Sequence, residues 1–524
     1  MKLLILLAVF ALFFCTACPP TSPVLDVVTY NPQTVISLSF PEEKSVFTIK
    51  NMTHQTIFLI KVNKSNLLVK SSQTGGIYPA EIQRSTDALL NQNIDELDPT
   101  LLNGNVKRLD HEKARRFNEN PPYLKAPRFQ ARTTISVEPL KIGAVKTFWV
   151  EGKSDGAWEE IKAVVSAQSE HCVIWRADEE VSEEVSQKQC EELAARFDDI
   201  YRYVTGIFGY EYGRDDSGGI DGDMKIHILV YDIDWDKNLE QASKVAGFFW
   251  SKDSFSQEDL DKSGQTVKTN QAEILYLDSF LMAKHPDLVY STTVHELQHM
   301  INFNEKTVEK GLSPSRWYNE MLSLMAEDII DPLLGITLKN TEHPVNIWMP
   351  YFLNVYYSTG LTEWHEPISY ATAFAFGAYL TRNFGGAALL YEIAHNDAVD
   401  IESLSMAIGA LNKGQTFDQA MSRYGEALIF SGNTPAHVLS FDRTVTSRIK
   451  DIDYTLNGFD IWKMDNAYNS KGPLVFDISK TNPDLYNHSV LIQSYDSWQN
   501  ATGQLTTTVV KPSNTSIELY LMLK

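Results

Sequence analysis

TTVHELQHMINFNE, residues 292–305, decides how the rest of the chain is read. Its apolar residues Val294, Leu297 and Ile301 recur at i, i+3 and i+7, the spacing of a helix with one buried stripe. His295 and His299 are four apart, so on that helix they project from one face and reach a single ion. Zinc accepts imidazole nitrogen at about 2.0–2.1 Å in tetrahedral sites. Glu296, one step round the helix, flanks the same face and is placed to take a proton from water held there, which is the mechanical content of H-E-x-x-H. The bland alternative is a helix with two ordinary polar histidines.

A catalytic zinc has three protein ligands and one open position. Two residues compete for the third place. Glu320 lies in RWYNEMLSLMAEDI, a segment whose Trp317, Met321, Leu324 and Met325 form an apolar stripe. Glu320, Ser323 and Glu327 share another face of that helix at i, i+3 and i+7. A carboxylate buried on such a helix needs a partner, because an unpaired buried charge is costly. The competing reading is a solvent-facing acidic strip. Glu305 is the second candidate, standing where the longer H-E-x-x-H-x-x-G-x-x-H pattern puts its third histidine. That pattern uses Gly to turn the chain back, and here Asn302 takes the position.

HELQHMINFNE followed by WYNEMLSLMAED resembles the glutamate-zincin arrangement of thermolysin and of aminopeptidases, and more closely the hyicolysin family of bacterial exported metallopeptidases. The lead-in GIDGDMKIHILVYDI, then VAGFFW and EILYLDS, is similar to that family as well, so the likeness covers about residues 165–400. The resemblance implies zinc on His295, His299 and Glu320, and Glu296 as general base. Two departures stand out. Met321 replaces a more usual Gly, and Leu324 stands where thermolysin-like enzymes carry an Asp. The group orienting a zinc histidine must then come from elsewhere, with Glu327, Asp328 and Asn319 as the candidates. Related zincins stabilise the oxyanion with a Tyr or His from a later helix, which points to Tyr370 or His365 in EWHEPISYATAFAFGAYLTRNFGG. For Tyr370, a packed helix tyrosine is the competing reading.

The chain around this core has 524 residues, 43% apolar and 22% charged, with a net charge of −21. That charge argues against nucleic acid as a partner, which needs clustered Lys and Arg. Lys2 and the apolar run 3–14 form an export signal, and Thr16-Ala17-Cys18 resembles a lipoprotein cleavage box with lipid on Cys18. The usual Leu of that box is Cys15, so ordinary secretion is the alternative. No later stretch offers 18 consecutive apolar residues. In an oxidising compartment Cys172 and Cys190 would pair, and otherwise they are two buried thiols. RDDSGGIDGDMK (214–225) is rich in Asp and Gly but lacks the calcium-loop spacing, so a tight turn is the preferred reading over Ca2+.

Alternating runs such as TVISLSF, SVFTIK and TIFLIKV predict strands before about residue 65, and residues 75–130 read as irregular linker. Strong apolar strands at 224–234, 245–250 and 273–279 precede helical segments at 285–305, 315–330 and 369–383. Strands return in SVLIQSY, QLTTTVV and SIELYLML. The expected fold is α+β: a signal segment (1–18), a β-rich N-terminal domain (19–158), a zincin-like catalytic domain (159–436) and a small β-rich C-terminal domain (437–524). The expected function is that of an exported zinc endopeptidase acting on polypeptides, with VAGFFW or EILYLDS as a substrate-aligning edge strand. The rivals are an exopeptidase on the same scaffold and a lipid-anchored adhesion protein built on an inactive zincin. Neither the natural substrate nor the oligomeric state is written in the sequence.

Overall fold

The computed structural model describes residues 29–30, 36–37, 44–79, 107–109, 111–122, 140–154, 156–178, 185–214, 218–233, 235, 243–432, 438–466 and 470–524. The export segment 1–18 and Cys18 lie outside the described residues. The fold is α+β. Its largest sheet has six strands: β1 (Val145–Glu151), β2 (Trp158–Gln168), β3 (Cys172–Ala177), β4 (Ile226–Tyr231), β5 (Gly247–Phe249) and β6 (Ile274–Asp278). Their order across the sheet is β5-β6-β4-β3-β2-β1. β3, β4 and β6 are parallel, and β4 and β6 are buried along their whole length. Strands covered on both faces need no polar alternation, which is why IHILVY and ILYLD are almost continuously apolar. β5 runs antiparallel to β6 and forms the sheet edge, so VAGFFW holds the edge strand while EILYLDS supplies an interior one.

Five helices position the site: α1 (Glu112–Glu119), α2 (Gln187–Phe208), α3 (Pro286–Asn302), α4 (Arg316–Ile330) and α5 (Ile368–Phe384). α2 opens with a capping box between Ser186 and Gln189, which satisfies two backbone N–H groups that a helix start leaves unpaired. α3 starts with Pro286 in its first turn, where a missing N–H costs nothing. It lies close under the edge strand. A Cβ on Gly247 would come within 2.9 Å of the Thr292 methyl and 2.7 Å of the Tyr276 carbonyl, so only Gly fits there. α4 packs on α5 in the same way: a Cβ on Gly377 would meet Met325 Cγ at 2.8 Å and Met321 Cγ at 2.9 Å. The bulk that Met321 adds on one helix is thus accommodated by a glycine on the next.

Strands from the two ends of the chain pair with one another, so the expected division at 158 and 437 does not follow the pairing. Ile57–Asn63 lies between Ser489–Ser494 and Ile517–Leu523, antiparallel to both. Lys44–Gln55 pairs with Ala501–Val510. Ile49, Leu59, Leu491, Val509, Leu519 and Leu521 bury between these sheets. β1, expected in the N-terminal domain, instead belongs to the six-stranded sheet. Alternation told which face of each strand is apolar, but it carries no information on a partner more than 400 residues away.

The disulfide reading is corrected as well. Cys172 and Cys190 are free and buried. Cys172 opens β3 with its Sγ 3.2 Å from Ser169 Oγ, whereas Cys190, in the first turns of α2, is near Arg176 at the far end of β3. Burial pushes the Cys172 thiol up to about 12 and raises that of Cys190, so neither is a ready nucleophile.

Candidate metal centre

α3 and α4 meet with the predicted ligands facing each other. Glu320 Oε2 is 3.2 Å from His295 Nε2, and Glu320 Oε1 is 3.5 Å from His299 Nε2. Among the described residues, this trio is the group of His, Cys, Asp and Glu side chains brought close enough to hold an ion, with ligand atoms within 4.8 Å of one another. Glu320 is buried, so its charge is tolerable only beside compensating partners. Burial on its own would raise the Glu320 carboxyl, but His299 and His295 beside it win and hold it well below the usual carboxylate range. Two imidazoles and one carboxylate, converging from two rigid helices, fit a divalent metal with one position left open.

α4 also orients both histidines. Glu327 Oε1 lies 2.5 Å from His295 Nδ1, and a carboxylate there accepts a hydrogen bond from Nδ1–H, which leaves Nε2 as the nitrogen available to an ion. Ser291 donates toward Glu327 Oε2 at 2.9 Å and Asp331 Oδ2 at 2.8 Å, fixing the orienting carboxylate in turn. Ser323 plays the equivalent part for His299. Its hydroxyl donates to Gln298 Oε1, so its oxygen, 3.1 Å from His299 Nδ1, accepts a hydrogen bond from that nitrogen's N–H. The tautomers follow from this network. One face of α4, Glu320-Ser323-Glu327, therefore carries a candidate ligand and one orienting group per histidine.

Glu296 turns toward the edge strand, where its Oε2 accepts the Phe249 N–H at 3.0 Å. It lines one cleft with His299, Glu320, Phe248, Phe249, Asn302, Asn319 and Arg316. Asn319 accepts a hydrogen bond from Asn302 Nδ2, so it ties α4 to the end of α3 rather than orienting a histidine.

Several expected residues stand elsewhere. Asp328 holds Arg382 of α5 through two hydrogen bonds, 2.6 and 3.1 Å, and does not orient a histidine. Glu305 accepts the Tyr210 N–H at 3.1 Å. It cannot turn back to His295 because Asn302, at φ −63°, simply continues the helix into Phe303–Val308. Tyr370 is buried with its ring stacked on Trp348 (centroids 5.2 Å apart), the packed-tyrosine alternative. His365 is largely exposed, and its nearest carboxylate is Glu363 at 3.8 Å. Neither lines the cleft. In the 214–225 segment, Asp221 Oδ1 accepts the Asp223 N–H and Asp223 Oδ1 accepts the Lys225 N–H, the hydrogen bonds of a tight turn before β4; nothing supports calcium.

A cleft floored by an H-E-x-x-H helix, with a carboxylate facing the histidines from a second helix, fits the class of metal-dependent peptidases. The family model described as Peptidase M30 matches residues 159–462, more than half of the chain, and the chain belongs to that family. It is also 22% identical over 395 residues to the neutral metalloprotease ShpI of Staphylococcus hyicus, across 71% of this chain and 80% of that protein. The chain is accordingly a metallopeptidase, and polypeptides are its substrates.

Proposed function

We propose that the chain is an exported zinc endopeptidase with a zincin-like catalytic domain, in which His295, His299 and Glu320 hold the ion and Glu296 is the general base. The observation that carries this reading is the convergence of those three side chains, two of which, His299 and Glu320, line one cleft with Glu296. Zinc, when bound, supplies Lewis-acid polarisation of a carbonyl and makes water nucleophilic near neutral pH. Glu296 takes a proton from the attacking water and returns it to the leaving amine. Glu327 and Ser323 keep each histidine's Nε2 turned inward. β5 aligns an extended substrate by strand addition, which leaves room for chain on both sides of the scissile bond and so favours endopeptidase action.

The test is metal content of the purified soluble chain, with Glu320→Ala, Glu327→Gln and Glu305→Ala alongside. About one zinc per chain is expected, lost in Glu320→Ala and untouched in Glu305→Ala. Glu327→Gln should weaken zinc binding by about 10–100-fold. Zinc retained by Glu320→Ala, or absent from every preparation even after zinc is added, counts against the site.

Export rests on residues 1–18, and lipid on Cys18 tethers the enzyme to the cell envelope. No helix among the described residues is long and apolar enough to cross a membrane. Cys18→Ala should shift the protein from the membrane fraction to the soluble one; an unchanged distribution would point to ordinary secretion or another tether.

A further inference from the structure

The segment before β1 contains a helix where sequence reading expects only linker, and that helix lies on the catalytic cleft. Lys107–Leu109 pairs in parallel with Ser243–Val245, directly before the edge strand β5. α1 follows and continues along the same edge. The His111 ring sits on Phe248, with centroids 4.1 Å apart. Asn118 Nδ2 donates to the Phe249 carbonyl at 2.8 Å, while Asn118 Oδ1 accepts the Ser251 N–H at 2.7 Å. A carbonyl at one position and an N–H two residues on are what a single residue of an added parallel strand would engage. The Asn118 carboxamide, with one donor and one acceptor, stands in for that peptide group.

Glu119, the next residue, reaches into the cleft. Its Oε1 lies 2.6 Å from Arg316 Nε, and Arg316 begins α4 one turn before Glu320. Glu119 and Arg316 line the same cleft as Glu296, His299 and Glu320. The Glu119 carboxyl is raised first by burial and further by the nearby charge of Glu320, which places it within electrostatic range of the ligand set. His111 and Lys113 pair with Glu151 on β1 at one end and Glu119 pairs with Arg316 at the other, so the helix is fastened at both ends. α1 thus forms part of the cleft wall beside the candidate ligands, through Arg115, Asn118 and Glu119.

We propose that residues 111–119 occupy the substrate's lane, with Asn118 on the edge strand and Glu119 on Arg316, so that the chain blocks its own cleft until this segment is cut or displaced. The proposal rests on the reading of the cleft given above. Cutting the segment would not shed the N-terminal part, because Lys44–Gln55 and Ile57–Asn63 are paired with strands from the C-terminal end.

The experiment compares the native full chain with Asn118→Ala/Glu119→Ala and with a full chain carrying recognition sequences for a specific protease at 106/107 and 122/123, cut after folding. Each is assayed for zinc content and for hydrolysis of casein and a quenched fluorescent peptide. The cut chain should gain about tenfold or more in kcat/KM, the gain expected if about one molecule in ten is open beforehand. Zinc content should not change, and a synthetic peptide of residues 107–122 should inhibit the opened enzyme. The double variant should gain in the same direction. Equal or lower kcat/KM in the cut, zinc-loaded chain overturns the proposal and makes the helix a fixed wall of the cleft. No zinc and no cleavage in any form overturns it too, and the metal reading then shows that the site assignment itself has failed.

Discussion

Glu296→Gln should lose about 10²–10⁴-fold in kcat while binding zinc as tightly as the native chain, because a positioned general base contributes about that much. The substitution changes one atom type and no volume. The carboxamide oxygen can still accept the Phe249 N–H that Glu296 Oε2 now accepts at 3.0 Å, so the edge strand keeps its place over the cleft. His295, His299 and Glu320 keep their donors and their orienting partners Glu327 and Ser323. What disappears is the site that receives the proton of the attacking water. Zinc stoichiometry and casein cleavage measured on the same preparation separate the two functions. Loss of cleavage with zinc retained assigns Glu296 to proton transfer. Cleavage within tenfold of native would leave the base to another group, and loss of zinc would mean that Glu296 supports the ligands. In the adhesion-protein alternative, native and variant are both silent towards casein.

The candidate metal centre is legible in the sequence because its pattern is local. His295 and His299 are fixed by one helical spacing, and Glu320 announces itself as a carboxylate on an apolar helix. Helical phase could have gone further. Glu327 lies about 20° from Glu320 around the helix axis, whereas Asp328 lies about 80° away on the side facing α5, which separates the orienting carboxylate from the ion-paired one. Ser323 falls on the Glu320 face as well, but its role depends on the rotation of the His299 ring, which spacing does not fix. Tyr370 follows Pro367 at a helix start, a position compatible with a cleft, yet the side facing Trp348 proved the more apolar surroundings. α1 was the harder case. It has eight residues, too few for propensity to hold a helix without tertiary contacts, and those contacts come from Glu151, Phe248, Arg316 and Glu366. The pairing of the two chain ends is invisible for a related reason, since a strand's sequence specifies its faces and not its neighbour.

Asp328→Asn should destabilise the catalytic part of the chain by about 3–5 kcal/mol, the usual cost of removing one partner from a buried ion pair. Arg382 and Asp328 are both almost wholly buried and joined by two hydrogen bonds. Arg382 also donates to the Asn457 carbonyl at 3.0 Å and lies 4.6 Å from the centre of the Phe459 ring. A neutral Asn leaves the guanidinium in the core with no counter-charge. The consequence reaches the metal centre, because Asp328 adjoins Glu327 and follows Glu320 by two turns of α4. Loosening α4 from α5 should therefore lower zinc affinity along with stability. Removing both charges should not behave as the sum of the two losses: Asp328→Leu with Arg382→Leu leaves no isolated charge, and such replacements of buried pairs by apolar residues are often close to neutral. Urea unfolding followed by tryptophan fluorescence, with and without excess zinc, measures both terms. A loss below about 1 kcal/mol in Asp328→Asn would mean that water reaches Arg382 and that α4 is held by its apolar face alone. A double variant as unstable as the single one would show instead that the pair fixes the angle between α4 and α5, and with it the position of Glu320 opposite the two histidines.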